Sequence, residues 1–156
     1  MVNTPEELGA WLRLSLTPGV GNESARKLLA AFGPPDRIFA QTESALRQVV
    51  SATQARHLLN TPDGWAELNR ETWEWLQSTH AQGVVHAVVT LGDTDYPASL
   101  LRIPDPPLML YALGFWWNVA RHVSKATQFL IRIDQPRCAG GGGEWRISLE
   151  DLLKDL

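Results

Sequence analysis

Few residues of this chain are spaced to do chemistry. The four histidines, His57, His80, His86 and His122, form no HExxH or HxxxH pair, so a zinc site built on them would need long-range convergence. Asp93 and Asp95 flank Thr94 and could open a loop for a hard cation, but no further oxygen ligands follow at loop spacing. Aspartates in such a cluster more often accept from neighbouring backbone amides and shape a turn. Cys138 is the single cysteine, which excludes an intrachain disulfide and a cysteine zinc cluster. No serine or cysteine lies in a nucleophile motif. The run Gly140–Gly143 is followed by Glu144 and Trp145, without the Lys-Ser/Thr of a P-loop or the third glycine of a dinucleotide fingerprint, and reads as a flexible linker. The expectation is a protein with no catalytic residues, no metal and no cofactor.

One motif remains. In Thr17-Pro18-Gly19-Val20-Gly21, two glycines flank one apolar residue, and Ala25, Leu28 and Leu29 follow at helical spacing. This is the pattern G-h-G-x-x-x-A-x-x-h-h of a helix-hairpin-helix. The glycines permit a tight turn, Val20 plugs it into the core, and the amides of Gly19 and Gly21 face outward near a helix N-terminus. Such a turn can hold a phosphate oxygen without any side chain. The candidate DNA-phosphate contacts are therefore Gly19, Val20, Gly21, Arg26 and Lys27. Glu23 stands in the first helical turn and repels phosphate, with Arg26 and Lys27 one turn on to offset it. The same hairpin also serves as a structural joint or a protein-binding element, and both readings stay open.

The elements that must position this turn follow from periodicity. Glu6–Leu16 reads as a helix with Leu8, Trp11, Leu12 and Ser15 on one side, and Asn22 is expected to cap a second helix running to about Ala31. Val20–Leu29 and Val50–Leu59 agree at five of ten positions with an offset of 30, so a second, degenerate copy of the hairpin is expected there. Short helices are expected at 36–40 and 43–49, and one across the second copy ending near Asn60. Thr61 as N-cap and Pro62 at the first helical position then start a helix to about Ala81, with Trp65, Leu68, Thr72, Trp75 and Leu76 as a core stripe rather than a base-stacking platform. From Gly83 the period changes. Val84–Leu91 and Pro107–Leu113 have the length and β-branched or apolar content of strands, with a turn cluster at 92–97 and room for one helical turn at 98–101. Two strands alone make no stable sheet.

Composition fits a globular protein, at 44% hydrophobic and 20% charged residues with seven tryptophans. The first residues carry two acids before Arg13 and no long apolar run, unlike a secretory signal, and no stretch approaches a membrane span. A cytoplasmic protein with no membrane partner is expected. Net charge is −3, with six Lys/Arg against five Asp/Glu in residues 1–61, two against seven in 62–114, and six against five in 115–156. Proteins that hold nucleic acid by phosphate neutralisation show a basic stripe, so strong stand-alone DNA binding is disfavoured.

Two segments carry a resemblance. AWLRLSLTPGVGNESARKLLAAFG (Ala10–Gly33) and TLGDTDYPASLLRIPDPPLMLYALG (Thr90–Gly114) resemble the N-terminal domain and domain junction of bacterial DprA/Smf proteins, which handle incoming single-stranded DNA in natural transformation and competence. The order LGD-x-DYP-x-x-LL-x-IPDPP-x-x-LY-x-x-G is the more specific of the two. The resemblance implies a mainly α fold: a SAM-like helix-hairpin-helix domain at 1–82, then entry strands of an incomplete α/β, Rossmann-like segment at 83–114. It also implies single-stranded DNA and RecA, or another competence protein, as partners. It ends at Gly114, and no Gly-Ser-Arg phosphate-binding turn follows. Residues 115–156 are expected to be a divergent tail arising from a frameshift or fusion, with a short amphipathic helix at Leu149, Leu152, Leu153 and Leu156 after Ser148. The DNA-binding and dimerisation residues of the Rossmann-type domain have no counterparts to carry over. The expected protein is a truncated DprA-like chain that retains an interaction module, with an independent helix-hairpin-helix DNA-binding protein or a nonfunctional remnant as alternatives.

Overall fold

A computed structural model describes residues 1–78, 84–115, 131–132 and 146–147. The fold is mainly helical with a small antiparallel sheet. The helices are α1 (Pro5–Leu16), α2 (Asn22–Phe32), α3 (Pro35–Phe39), α4 (Glu43–Leu46), α5 (Ala52–Leu59) and α6 (Trp65–Gln77). The strands are β1 (Val84–Thr90), β2 (Met109–Phe115), β3 (Ile131–Arg132) and β4 (Arg146–Ile147), in the order β1-β2-β3-β4, with a single 3-10 turn at Leu100–Arg102 between the first two.

α1 is the central helix. Thr4 caps it by accepting from the Glu7 amide at 3.1 Å, and Pro5 stands where a missing amide costs nothing. Leu8, Trp11 and Leu12 are buried as their spacing predicts, but so is Leu14, which lies off that stripe. A helix with α2 and α3 on one side and α6 on another buries more than one face, so an amphipathic pattern understates it. Gly9 lets α6 approach: a Cβ there would stand 3.0 Å from the Trp65 ring and 3.1 Å from the Asn69 side chain, and the Trp65 indole donates to the Gly9 carbonyl at 2.7 Å. On another face the Arg13 guanidinium lies 4.0 Å over the Phe39 ring and donates to the Leu58 carbonyl, and burial lowers its pKa.

Helices α2 and α5 begin 30 residues apart, matching the repeat, and Ala25, Leu28, Ala55 and Leu58 are all fully buried. The copies meet through equivalent positions, since Gln54 donates to the Ser24 hydroxyl at 3.0 Å. Several boundaries differ from expectation: α4 ends at Leu46 rather than residue 49, β2 runs Met109–Phe115 rather than Pro107–Leu113, and α2 and α6 begin elsewhere. Gly21, not Asn22, is the N-cap of α2: its backbone is extended (φ −82°, ψ 176°) while Asn22 is already helical, and the Asn22 side chain donates to Asp105. Helix α6 starts at Trp65 rather than after Thr61. Gly64 takes a left-handed conformation (φ 74°), and the Trp65 amide closes a turn onto the Pro62 carbonyl, so the helical ladder cannot extend back through it. α6 also stops at Gln77, short of Ala81, with Ser78 extended. Its stripe is core: Thr72 is buried, while Trp65, Leu68, Trp75 and Leu76 pack against the main hydrophobic cluster.

β1 pairs with β2 over its whole length, from Val84↔Phe115 to Thr90↔Met109. Successive side chains alternate between two apolar layers. Val88, with Met109 and Tyr111 of β2, packs into the same cluster as α1 and α6. Val89, with Leu110, packs against Tyr96 and Leu100. Burial on both faces explains why β1 does not alternate apolar with exposed polar residues: its two polar members, His86 and Thr90, are themselves buried. His86 joins α6 to the sheet, its ring stacked on Trp75 at 4.2 Å and its Nδ1 on the Trp75 carbonyl and Ser78 hydroxyl. In the turn between the strands Asp93 accepts from the amide and hydroxyl of Thr90 at 2.7 and 3.0 Å, the local bonding expected of it. Tyr96 donates to the Pro107 carbonyl, and burial raises its phenol to about 12.

Residues 131–132 and 146–147 add β3 beside β2 and β4 beside β3, so the segment after Gly114 does contribute to the sheet. β1 stays at the edge, where the Val2 amide donates to the Val88 carbonyl. His80, His122, Cys138, the Gly140–Gly143 run and the expected helix at Leu149–Leu156 lie outside the described residues. Among the described residues, no helix is long and apolar enough to cross a membrane.

Candidate nucleic-acid interface

The turn between α1 and α2 is built from its backbone outward. Thr17 closes α1 by donating its hydroxyl to the Arg13 carbonyl at 2.7 Å, and the Val20 amide donates to the Thr17 carbonyl at 3.1 Å. Gly19 adopts φ +76°, a conformation that a Cβ disfavours. Val20 is only 7% exposed and plugs the turn into the core as expected, so its side chain is not available to a ligand. Pro18, Gly19 and Gly21 are exposed.

Helix α5 holds this turn from below. The His57 ring binds the Pro18 carbonyl through Nδ1 at 2.8 Å, and Gln54 donates to the Gly19 carbonyl at 2.7 Å. Gln54 is itself fixed in a capping box with Ser51, each side chain meeting the other's backbone amide. Both turn carbonyls are thereby occupied by α5. No described residue accepts from the amides of Gly19 or Gly21, which leaves the donor side of the turn for something else.

The two candidate cations are placed differently. Arg26 donates through Nη1 to Asp105 Oδ1 at 2.7 Å and to the Pro106 carbonyl at 3.2 Å, while Asn22 donates to Asp105 Oδ2 at 3.0 Å. The Arg26 guanidinium beside Asp105 holds its carboxyl below the usual aspartate range. Lys27 pairs with Glu23 at 2.7 Å, one helical turn apart, and depresses the Glu23 carboxyl. Lys27 thus offsets Glu23 as the spacing suggests, but in doing so it leaves no net charge for a phosphate. Arg26 is spent on tying α2 to the proline-rich segment before β2.

Of the five sequence-designated residues, Gly19 and Gly21 lie together on the exposed turn, Val20 lies beneath them, and Arg26 and Lys27 extend along α2 in separate ion pairs. Three further participants, Gln54, His57 and Asp105, were not designated from the sequence, and Asn22 was expected only as a helix cap. The signal for Gln54 was present in Ser51-x-x-Gln54, a capping-box spacing. Asp105 carried none, because its partner is 79 positions away in the chain.

What this arrangement can do is present two backbone donors and the positive end of α2 to an acceptor oxygen, beside the exposed Pro18 ring and the Glu23–Lys27 pair. Comparison of the chain with protein-family models, with curated proteins and with solved structures gave no match.

Proposed function

We propose that this chain is an interaction module of DNA processing, akin to the helical front part of DprA/Smf proteins, with the Gly19–Gly21 turn as the surface that meets single-stranded DNA. In this reading, α1–turn–α2 is a helix-hairpin-helix within a SAM-like unit, and β1 and β2 are the entry to a Rossmann-like one. The observation that carries it is Gly21. Its backbone (φ −82°, ψ 176°) suits any residue, and a Cβ there would meet nothing within 4 Å. Serine would cap α2 better, as Ser51 does at the equivalent place in α5. The fold does not require a glycine here; a backbone approaching the turn from outside would.

The test uses fluorescence anisotropy of a labelled oligothymidylate across a salt series. Wild-type binding is expected in the range of about 10⁻⁶ to 10⁻⁴ M, with a shallow salt slope of less than about one counterion, since amides rather than free cations make the contact. Gly21→Asp should weaken binding at least about tenfold while leaving stability unchanged or slightly raised, because aspartate is a favoured N-cap. Undiminished binding by Gly21→Asp would remove the turn from the interface.

A second reading is supported by the neutralised cations. With Arg26 and Lys27 both paired, the turn also suits a protein partner, for which the resemblance to DprA/Smf points to RecA. Oligonucleotide binding would then be absent, and Gly21→Asp would weaken the protein contact instead.

A further inference from the structure

We propose that Asp105 is an internal competitor for the DNA backbone, a carboxylate latch that occupies Arg26 until a phosphate displaces it. This rests on the proposed role of the adjacent turn. Arg26 Nη1 meets Asp105 Oδ1 at 2.7 Å, and Asn22 meets Oδ2 at 3.0 Å, so a cationic and a neutral donor converge on one carboxylate. A guanidinium recognises a phosphate oxygen by the same charge-assisted hydrogen bonds that it gives a carboxylate. Both donors lie on α2, in the two helical turns that follow Gly21.

The two sides of the contact are unequal. The Arg26 side chain is 26% exposed, and its Nη1 also donates to the Pro106 carbonyl at 3.2 Å, a bond that does not depend on Asp105. The Asp105 side chain is 61% exposed and reaches Arg26 from the non-helical segment before β2. Releasing the carboxylate therefore returns it to water while the donor stays anchored. An exposed pair of this kind contributes little to folding and is screened by salt, so the exchange is inexpensive. Glu23 lies close enough to feel Asp105, and Lys27 neutralises it. Asp105 is thus the carboxylate whose removal changes the charge that Arg26 presents.

The experiment compares wild type, Asp105→Asn, and Asp105→Asn combined with Arg26→Gln, by oligothymidylate anisotropy across a salt series. Asp105→Asn is expected to tighten binding by about three- to tenfold and to steepen the salt slope by about 0.7, one phosphate contact on a single strand. The double variant should lose both gains. In the wild-type chain, the Arg26 guanidinium NMR resonances should shift on titration with the oligonucleotide, a readout that needs no variant to fold. If wild type binds but Asp105→Asn changes nothing, or if the gain survives Arg26→Gln, the latch is refuted and the turn stands. Unmoved Arg26 resonances at saturation refute it equally. If neither wild type nor Asp105→Asn binds, the DNA reading of the turn fails and the latch falls with it.

Discussion

Two glycines of one turn differ in what the backbone asks of them. Gly19 is held at φ +76°, so Gly19→Ala should cost about 1 kcal/mol, read as a lower urea midpoint at constant slope. Gly21 has ordinary dihedrals and open space, so Gly21→Ser should stabilise by a few tenths of a kcal/mol through a better cap, in the same urea experiment. Opposite signs at two glycines of one motif would separate the one that the backbone needs from the one that it does not. Asp93 supplies a pH-dependent contribution. Burial pushes its carboxyl up, but bonds from the Met1 ammonium at 2.7 Å and from Thr90 outweigh that, and the folded pKa is depressed. A depressed carboxyl contributes stability above its unfolded pKa, about 4, and loses it as pH falls through the folded value. Asp93→Asn should therefore lower the melting temperature near pH 6, and the two proteins should converge as pH falls through the depressed folded value. Parallel melting curves across that range would show that Asp93 is not the group responsible.

At the scale of elements, α1 and α6 approach through Gly9. Alanine is intrinsically the better helix former by about 1 kcal/mol, yet its methyl would stand 3.0 Å from a tryptophan ring already bonded to the Gly9 carbonyl. The indole cannot retreat without losing that bond, so overpacking outweighs propensity. Gly9→Ala is expected to destabilise by about 1 kcal/mol net, measured by thermal melting; a stabilised variant would show that the α1–α6 contact can relax. The helices were legible in the sequence where a periodic stripe or a cap marked them, as in α1, α2 and α5. The start of α6 was not. Thr61-Pro62 has the chemistry of a helix start, but Gly64 in the left-handed region overrode it, and a residue type alone does not reveal which conformation a glycine adopts.

For the whole molecule, the cluster that contains Leu8, Leu14, Leu28 and Leu58 also contains Val88, Leu108 and Met109. The helices and the first two strands therefore share one core. Each buried side chain of this kind is worth about 1.5–3 kcal/mol, and the three together rival the stability of an ordinary domain. A chain ended at Gln82 should accordingly lose its cooperative melt, with weak near-ultraviolet circular dichroism and rapid proteolysis. A fragment that melts as sharply and as high as the whole chain would mean that the strands are dispensable.

Residue order alone determined the helical periodicity, the glycine-flanked break between α1 and α2, the helix that recurs 30 positions after α2, and the change to strand pattern after residue 83. These are local properties, set by backbone sterics and by which side chains fall on one face within a few turns. Tertiary structure decided what no local rule reaches. It turned the Gly19 carbonyl to Gln54 and the Pro18 carbonyl to His57, and it gave Arg26 to Asp105 across 79 positions. The electrostatic character of the turn depends on those distant partners. The sequence could propose Arg26 and Lys27 as phosphate ligands because they lie within the motif, between Ala25 and Leu28. Whether a cation near a helix start is open or already neutralised depends on which carboxylates the folded chain brings within about 3 Å of it.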